Sequence, residues 1–165
     1  MTSCVFPGTF DPVTKGHISL IARASEMFDH VTVTIMVNIH KNTVFTLEQR
    51  LSMLQKACRS YSNVSVDSWD GLLTDYLYQK NQRIIPRGIR SAAEFEQELL
   101  ASRANRILQN QIETLFLPSE PELTGVSSSA VREIASFGGD LSGFLPEDIA
   151  EEINAVLSNL YHKHN

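Results

Sequence analysis

Five short apolar runs rich in β-branched residues punctuate this chain at 4–6, 31–37, 64–66, 83–86 and 114–117, each followed by a loop and then a stretch of helical periodicity. Strands separated by helices do not close as hairpins. They pair in parallel, and the connecting helices cover the sheet.

The helical stretches are specific enough to place. Ile18, Ile21, Ala22, Met27 and Phe28 share one face, and Leu47, Leu51, Leu54, Ala57 and Cys58 share another, entered through Thr46 with Gln49 completing a capping box. Leu72, Leu73, Tyr76 and Leu77 precede the fourth strand, and 92–108 sets Phe95, Leu99 and Ile107 opposite Glu94, Glu98, Arg103 and Arg106. A short helix carries Ala130, Val131, Ile134 and Ala135. A break at Gly138-Gly139-Asp140 then leads to a last helix over about 147–160, entered through Pro146. The expectation is α/β: a Rossmann-like, doubly wound, five-stranded parallel sheet with helices on both faces and C-terminal helices. One domain spanning 1–165 suits this length.

A net charge of -5 argues against a broad basic surface for nucleic acid or an anionic membrane, so an anionic ligand would need locally concentrated positive charge. No apolar run approaches a membrane span and no basic-then-apolar leader opens the chain, which reads as cytoplasmic. Cys4 and Cys58, far apart and without a CxxC pair, are expected as buried thiols. The five histidines lack zinc spacing, so no metal cage is expected.

In open parallel sheets, ligands collect outside the carboxyl ends of the strands. After the first strand stands Pro7-Gly8-Thr9-Phe10-Asp11-Pro12, followed by Thr14-Lys15-Gly16-His17 at a helix entry. Glycine admits close backbone approach, and helix-start amides favour an anion. His17 reads either as a cap for its own loop or as a donor to phosphate oxygen. After the second strand, His40-Lys41-Asn42 offers a lysine that by itself is no more than solvated. Pro86-Arg87-Gly88-Ile89-Arg90 ends the fourth run with two arginines able to hold phosphate; Pro86 reads as the strand's terminator. Ser127-Ser128-Ser129 opens a later helix, as a terminal-phosphate site or merely as an N-cap.

Taken in order, Gly8-Thr9-Phe10-Asp11-Pro12, Thr14-Lys15-Gly16-His17, Arg87-Gly88-Ile89-Arg90 and Ser127-Ser128-Ser129-Ala130-Val131-Arg132-Glu133 resemble the bacterial phosphopantetheine adenylyltransferase family over nearly the whole chain. The Thr-x-Gly-His element alone marks only the wider nucleotidyltransferase superfamily. The resemblance implies reversible adenylyl transfer from ATP to 4'-phosphopantetheine, giving dephospho-coenzyme A and pyrophosphate without a covalent enzyme intermediate. Mg2+ would accompany ATP. It further implies a homohexamer restrained by coenzyme A.

By the same resemblance His17, Lys41 and Arg90 are catalytic. Thr9, Lys41, Leu73 and Arg87 take the acceptor. Thr9, Phe10, His17, Gly88, Ile89, Arg90, Glu98, Leu123, Thr124, Gly125, Val126, Ser127, Ser128 and Ser129 surround ATP. Ile39-His40, Gln97 and Leu123 depart from the family pattern, at the acceptor loop and around the base. A sister nucleotidyltransferase with another acceptor, or a nucleotide-binding module without turnover, are the competing readings.

Overall fold

Thr14, Thr46, Ser91 and Ser127 each place a side-chain oxygen on a backbone N–H three residues ahead, and a helix follows each one. These caps set the frame of a computed structural model that describes residues 2–38 and 42–161. The order is β1 (Ser3–Gly8), α1 (Lys15–Met27), β2 (His30–Val37), α2 (Leu47–Cys58), β3 (Val64–Asp70), α3 (Leu73–Gln79), β4 (Ile84–Ile89), α4 (Ala92–Leu108), β5 (Glu113–Pro118), a 3₁₀ turn (Pro121–Leu123), α5 (Ser128–Ser136) and α6 (Glu147–Tyr161).

All strand pairs are parallel. β2 lies between β1 and β3, with Val5 opposite Thr32 and Val33 opposite Val66, and β4 pairs with β5, Pro86 opposite Leu115. The ladders thus form a three-stranded and a two-stranded sheet, where the sequence suggested one of five strands. β1 and β4 run in contact without a shared ladder. Each of the two carries a proline, Pro7 and Pro86, which has no amide hydrogen to donate.

Alternation along β1 sends its side chains to opposite faces. Cys4 and Phe6 join a core built with α1, α2, α5 and α6, whereas Val5 joins a smaller one with Tyr76, Leu77, Ile85 and Ile112. Helices therefore cover both faces. Cys4 and Cys58 are buried free thiols, their ionisation pushed up by burial to about 12 and about 11.

Two expectations need correction, and one helix packs unusually. β4 continues past Pro86 to Ile89, because proline is tolerated on the side of a strand that no ladder uses. β3 runs on from Val66 to Asp70 as the ladder with β2 persists. The apolar side of α4 is not core: no residue of this helix is buried, and Ile107 is 85% exposed.

Candidate active site

The carboxyl ends of β1 and β4 meet where the strand order reverses, which is where ligands collect in such sheets. A cavity of about 560 Å³ opens there. Its walls hold Thr9, Phe10, His17, Arg87, Gly88, Arg90, Glu98, Leu123, Val126, Ser127, Ser128 and Ser129, together with Asp11, Asn42, Thr43, Glu94 and Arg132.

Two close approaches shape the floor. A Cβ on Gly8 would stand 2.8 Å from the Phe10 ring, and one on Gly88 would stand 2.2 Å from Leu20 Cδ1. Phe10 itself takes a left-handed φ of 50°, is 2% exposed, and meets His17 edge-on with ring centroids 5.0 Å apart. A buried aromatic residue holds such a backbone only when its surroundings fix it on both sides.

His17 is the third residue of α1. Its Nδ1 accepts the Thr14 N–H at 3.0 Å, and its own N–H points back to the Thr14 hydroxyl at 3.4 Å. A nitrogen that accepts an amide hydrogen carries none, so the proton of the neutral ring sits on Nε2. Burial first, then the charges of Arg90 and Arg87, bring the imidazole pKa down to about 4. His17 is therefore a neutral donor at neutral pH.

The two arginines of β4 and its exit line this cavity, and each is held by a carboxylate of α4. Arg87 Nε and Nη2 bind the two Glu98 oxygens at 2.8 and 2.6 Å, while Nη1 donates to the Pro7 carbonyl at 2.8 Å, bridging β4 to β1. Arg90 Nη2 reaches Glu94 at 2.5 Å, and the Arg90 N–H donates to the same carboxylate at 2.7 Å. Burial pushes the Glu94 pKa up, but the hydrogen bonds and charge from Arg90, with the Arg87 charge, leave it lowered.

The serines at the start of α5 divide their hydroxyls among intramolecular partners. Ser127 caps the Ala130 N–H at 3.1 Å, Ser128 donates to the Pro12 carbonyl at 2.7 Å, and Ser129 accepts from Arg132 Nη2 at 3.3 Å. The anion-binding capacity of this corner therefore rests mainly on first-turn amides and Arg132.

Not every residue named from sequence lines this space. Thr124 turns its hydroxyl to the Pro121 carbonyl at 2.9 Å, and neither it, Gly125 nor Ile89 belongs to the cavity wall. Leu73 lines an adjoining cavity of about 540 Å³, which shares Thr9, Arg87 and Glu98 with the first and adds Met36, Ala101, Ser102 and Asn105. Lys41, with Ile39 and His40 before it, lies outside the described residues, as do His162 and His164.

Arg50, Glu94 and Arg132 were not singled out as site residues from sequence. Arg50 is 5% exposed, and its Nη1 donates to the Thr9 carbonyl at 3.0 Å. A charged residue within the apolar face of α2, next to Leu51, was the available signal.

A half-buried, neutral helix-entry histidine sharing a cavity with two arginines and a helix N-terminus, at a switch point of parallel strands, is an arrangement for handling nucleotide phosphates. Comparison with known proteins agrees. A family model described as cytidylyltransferase-like matches residues 5–134. Proteins named phosphopantetheine adenylyltransferase are similar over most of both chains. That of Clostridium perfringens (strain ATCC 13124) is 40% identical over 94% of this chain and 95% of its own length. That of Finegoldia magna is 44% identical over 92% and 94%, and that of Dictyoglomus thermophilum 44% over 93% of each. The chain belongs to the cytidylyltransferase-like family and, within it, to the phosphopantetheine adenylyltransferases.

Proposed function

We propose that this chain moves the adenylyl group of ATP reversibly onto the phosphate of 4'-phosphopantetheine, releasing pyrophosphate and forming dephospho-coenzyme A. The names of its relatives support the acceptor. The observation that carries the chemistry is His17, whose Nδ1 is fixed by Thr14, leaving Nε2–H as the ring's donor, and which lines the cavity shared with Arg87 and Arg90.

An acceptor phosphate oxygen attacks the α-phosphorus, a new P–O bond forms in line, and the bond to the β-phosphate bridging oxygen breaks with its electrons leaving on pyrophosphate. His17 Nε2–H donates to an α-phosphate oxygen as its charge grows. Arg90, Ser128, Ser129 and the first-turn amides of α5 steady the leaving pyrophosphate. Thr9, Arg87 and Lys41 hold the acceptor phosphate, and the pantetheine arm runs along Leu73 in the adjoining cavity. Glu98, beside Arg87, reaches the nucleotide side, with Phe10, Gly88, Leu123 and Val126 forming its walls.

Among the described residues no three His, Cys, Asp or Glu side chains are grouped to hold a metal ion, and Glu94 and Glu98 already hold arginines. Magnesium is read as part of the ATP substrate. The contact between β1 and β4 supports one doubly wound sheet of spatial order β3-β2-β1-β4-β5. The exposed apolar side of α4 supports assembly into a homohexamer. No helix among the described residues is long and apolar enough to cross a membrane, in keeping with a cytoplasmic enzyme. Restraint by coenzyme A in the same cleft completes the reading.

Pyrophosphate release from magnesium ATP tests it, with 4'-phosphopantetheine compared against pantetheine, glycerol 3-phosphate and nicotinamide mononucleotide. Release with 4'-phosphopantetheine alone is expected. Release with another acceptor would move the chain to a sister activity, and silence with all four would leave a binding protein.

A further inference from the structure

Asp11 has no part in the chemistry just described, yet it stands on the wall of the cavity with only 4% exposure. A carboxylate reaches that depth only when its oxygens are satisfied. Oδ2 accepts the Val44 N–H and Oδ1 the Phe45 N–H, both at 2.9 Å. From the other side Arg132 Nη1 stands 3.5 Å from Oδ2 and donates to the Asp11 carbonyl. One side chain thus joins the segment that puts Asn42 and Thr43 on the cavity wall to the helix that puts Ser128 and Ser129 there.

The backbone around Asp11 is braced to match. Arg50, buried with no partner for its Nε, holds the Thr9 carbonyl, and the Ser128 hydroxyl holds that of Pro12. Between these two anchors lie the left-handed Phe10 and Asp11 itself. A turn held at both ends transmits a displacement instead of absorbing it.

We propose that Asp11 is a positioning residue that couples the nucleotide-phosphate side of the cleft, through Arg132, to the acceptor side, through the Val44 and Phe45 amides. The assignment of a substrate to each side rests on the function proposed above. A nucleotide phosphate that draws the Arg132 guanidinium toward itself removes a counter-charge from Oδ2. The carboxylate then holds its two remaining amide donors more strongly. ATP bound on one side thereby firms the wall against which the second substrate settles, and linkage makes the effect reciprocal.

Hydrogen exchange of the whole chain, with and without magnesium ATP, tests the coupling in the parent and in Arg132→Gln. Saturating ATP is expected to slow exchange at Val44 and Phe45 about fivefold or more in the parent, and hardly at all in Arg132→Gln. Asp11→Asn, which cannot offer an acceptor oxygen to both amides, is expected to exchange faster there without ligand. In steady state Arg132→Gln is expected to raise the KM of the acceptor as well as that of ATP, which a role confined to ATP would not do. ATP that leaves the two amides unchanged in the parent, or slows them equally in Arg132→Gln, would overturn the coupling. The exchange comparison needs no acceptor, so it stands even if 4'-phosphopantetheine is not the substrate. Arg132, 30% exposed at its side chain, is the variant that decides the matter should Asp11→Asn fail to fold.

Discussion

His17 has room for two tasks in one ring: Nδ1 closes the capping box of α1, and Nε2 is left for the donor role proposed in the cavity that His17 lines. Read in the sequence alone, loop cap and phosphate donor looked like rivals, and the two nitrogens remove the conflict. Nitrogen NMR of the imidazole at neutral pH is expected to show Nδ1 bare and Nε2 protonated, with a titration midpoint near 4 instead of 6.5. A lowered pKa means that between those values the unfolded chain binds a proton the folded chain does not. Stability from this residue is therefore complete above pH 6.5 and falls as the pH drops toward 4. His17→Ala is expected to lower turnover by about 10² to 10³ while weakening ATP binding far less, since the lost donor acts on charge that grows in the transition state. The arginines were legible as phosphate ligands from Arg87-Gly88-Ile89-Arg90, but their partners were less so. Glu94 follows Arg90 by one helical turn, a spacing sequence can suggest, whereas Glu98 meets Arg87 only because α4 folds back over β4.

Element by element, what sequence rendered well was whatever is fixed locally. The capping box of Thr46 and Gln49 stands in the structure, because both of its hydrogen bonds lie within four residues. Strand ends were read short where pairing decides them: β3 and β4 extend as far as their neighbours support a ladder, and that support comes from distant sequence. Ser127 shows how far a local reading reaches. It is an N-cap, the plainer of the two roles considered, and Ser129 meets Arg132 one turn on in the same helix, while Ser128 makes a tertiary bond to Pro12 that spacing does not encode. Ser127→Ala is expected to destabilise the chain by about 1 kcal/mol in urea unfolding. Retained stability would mean that the first turn of α5 is held by its contacts to the β1 loop alone.

Across the whole molecule, the parallel α/β plan and helices on both faces followed from the alternation of runs. The break between β1 and β4 did not, since it depends on which strands become neighbours. The exposed apolar residues of α4 have their own consequence. Phe95, Leu100, Ile107 and Leu108 are exposed to between 39% and 85%, and Leu115 of β5 is 41% exposed. Apolar surface so extended on one helix and its adjoining strand is what a self-association surface offers. Leu100→Glu with Ile107→Glu is expected to shift sedimentation toward smaller species while the far-ultraviolet circular dichroism stays unchanged. An unaltered sedimentation profile would mean that this face carries no subunit contact. The pairing of Arg87 with Glu98, Arg90 with Glu94 and Arg132 with Asp11 bears on the molecule's dealings with its solution. These cations come with anions tethered to the same chain, so on the proposed reading an incoming phosphate group exchanges with fixed groups instead of sweeping free salt from a bare basic pocket. On the proposed reading, departing pyrophosphate leaves Arg90 for Glu94 of α4 to recapture. The cleft thus behaves as a small ion exchanger, with its resting counter-ions built into the polypeptide.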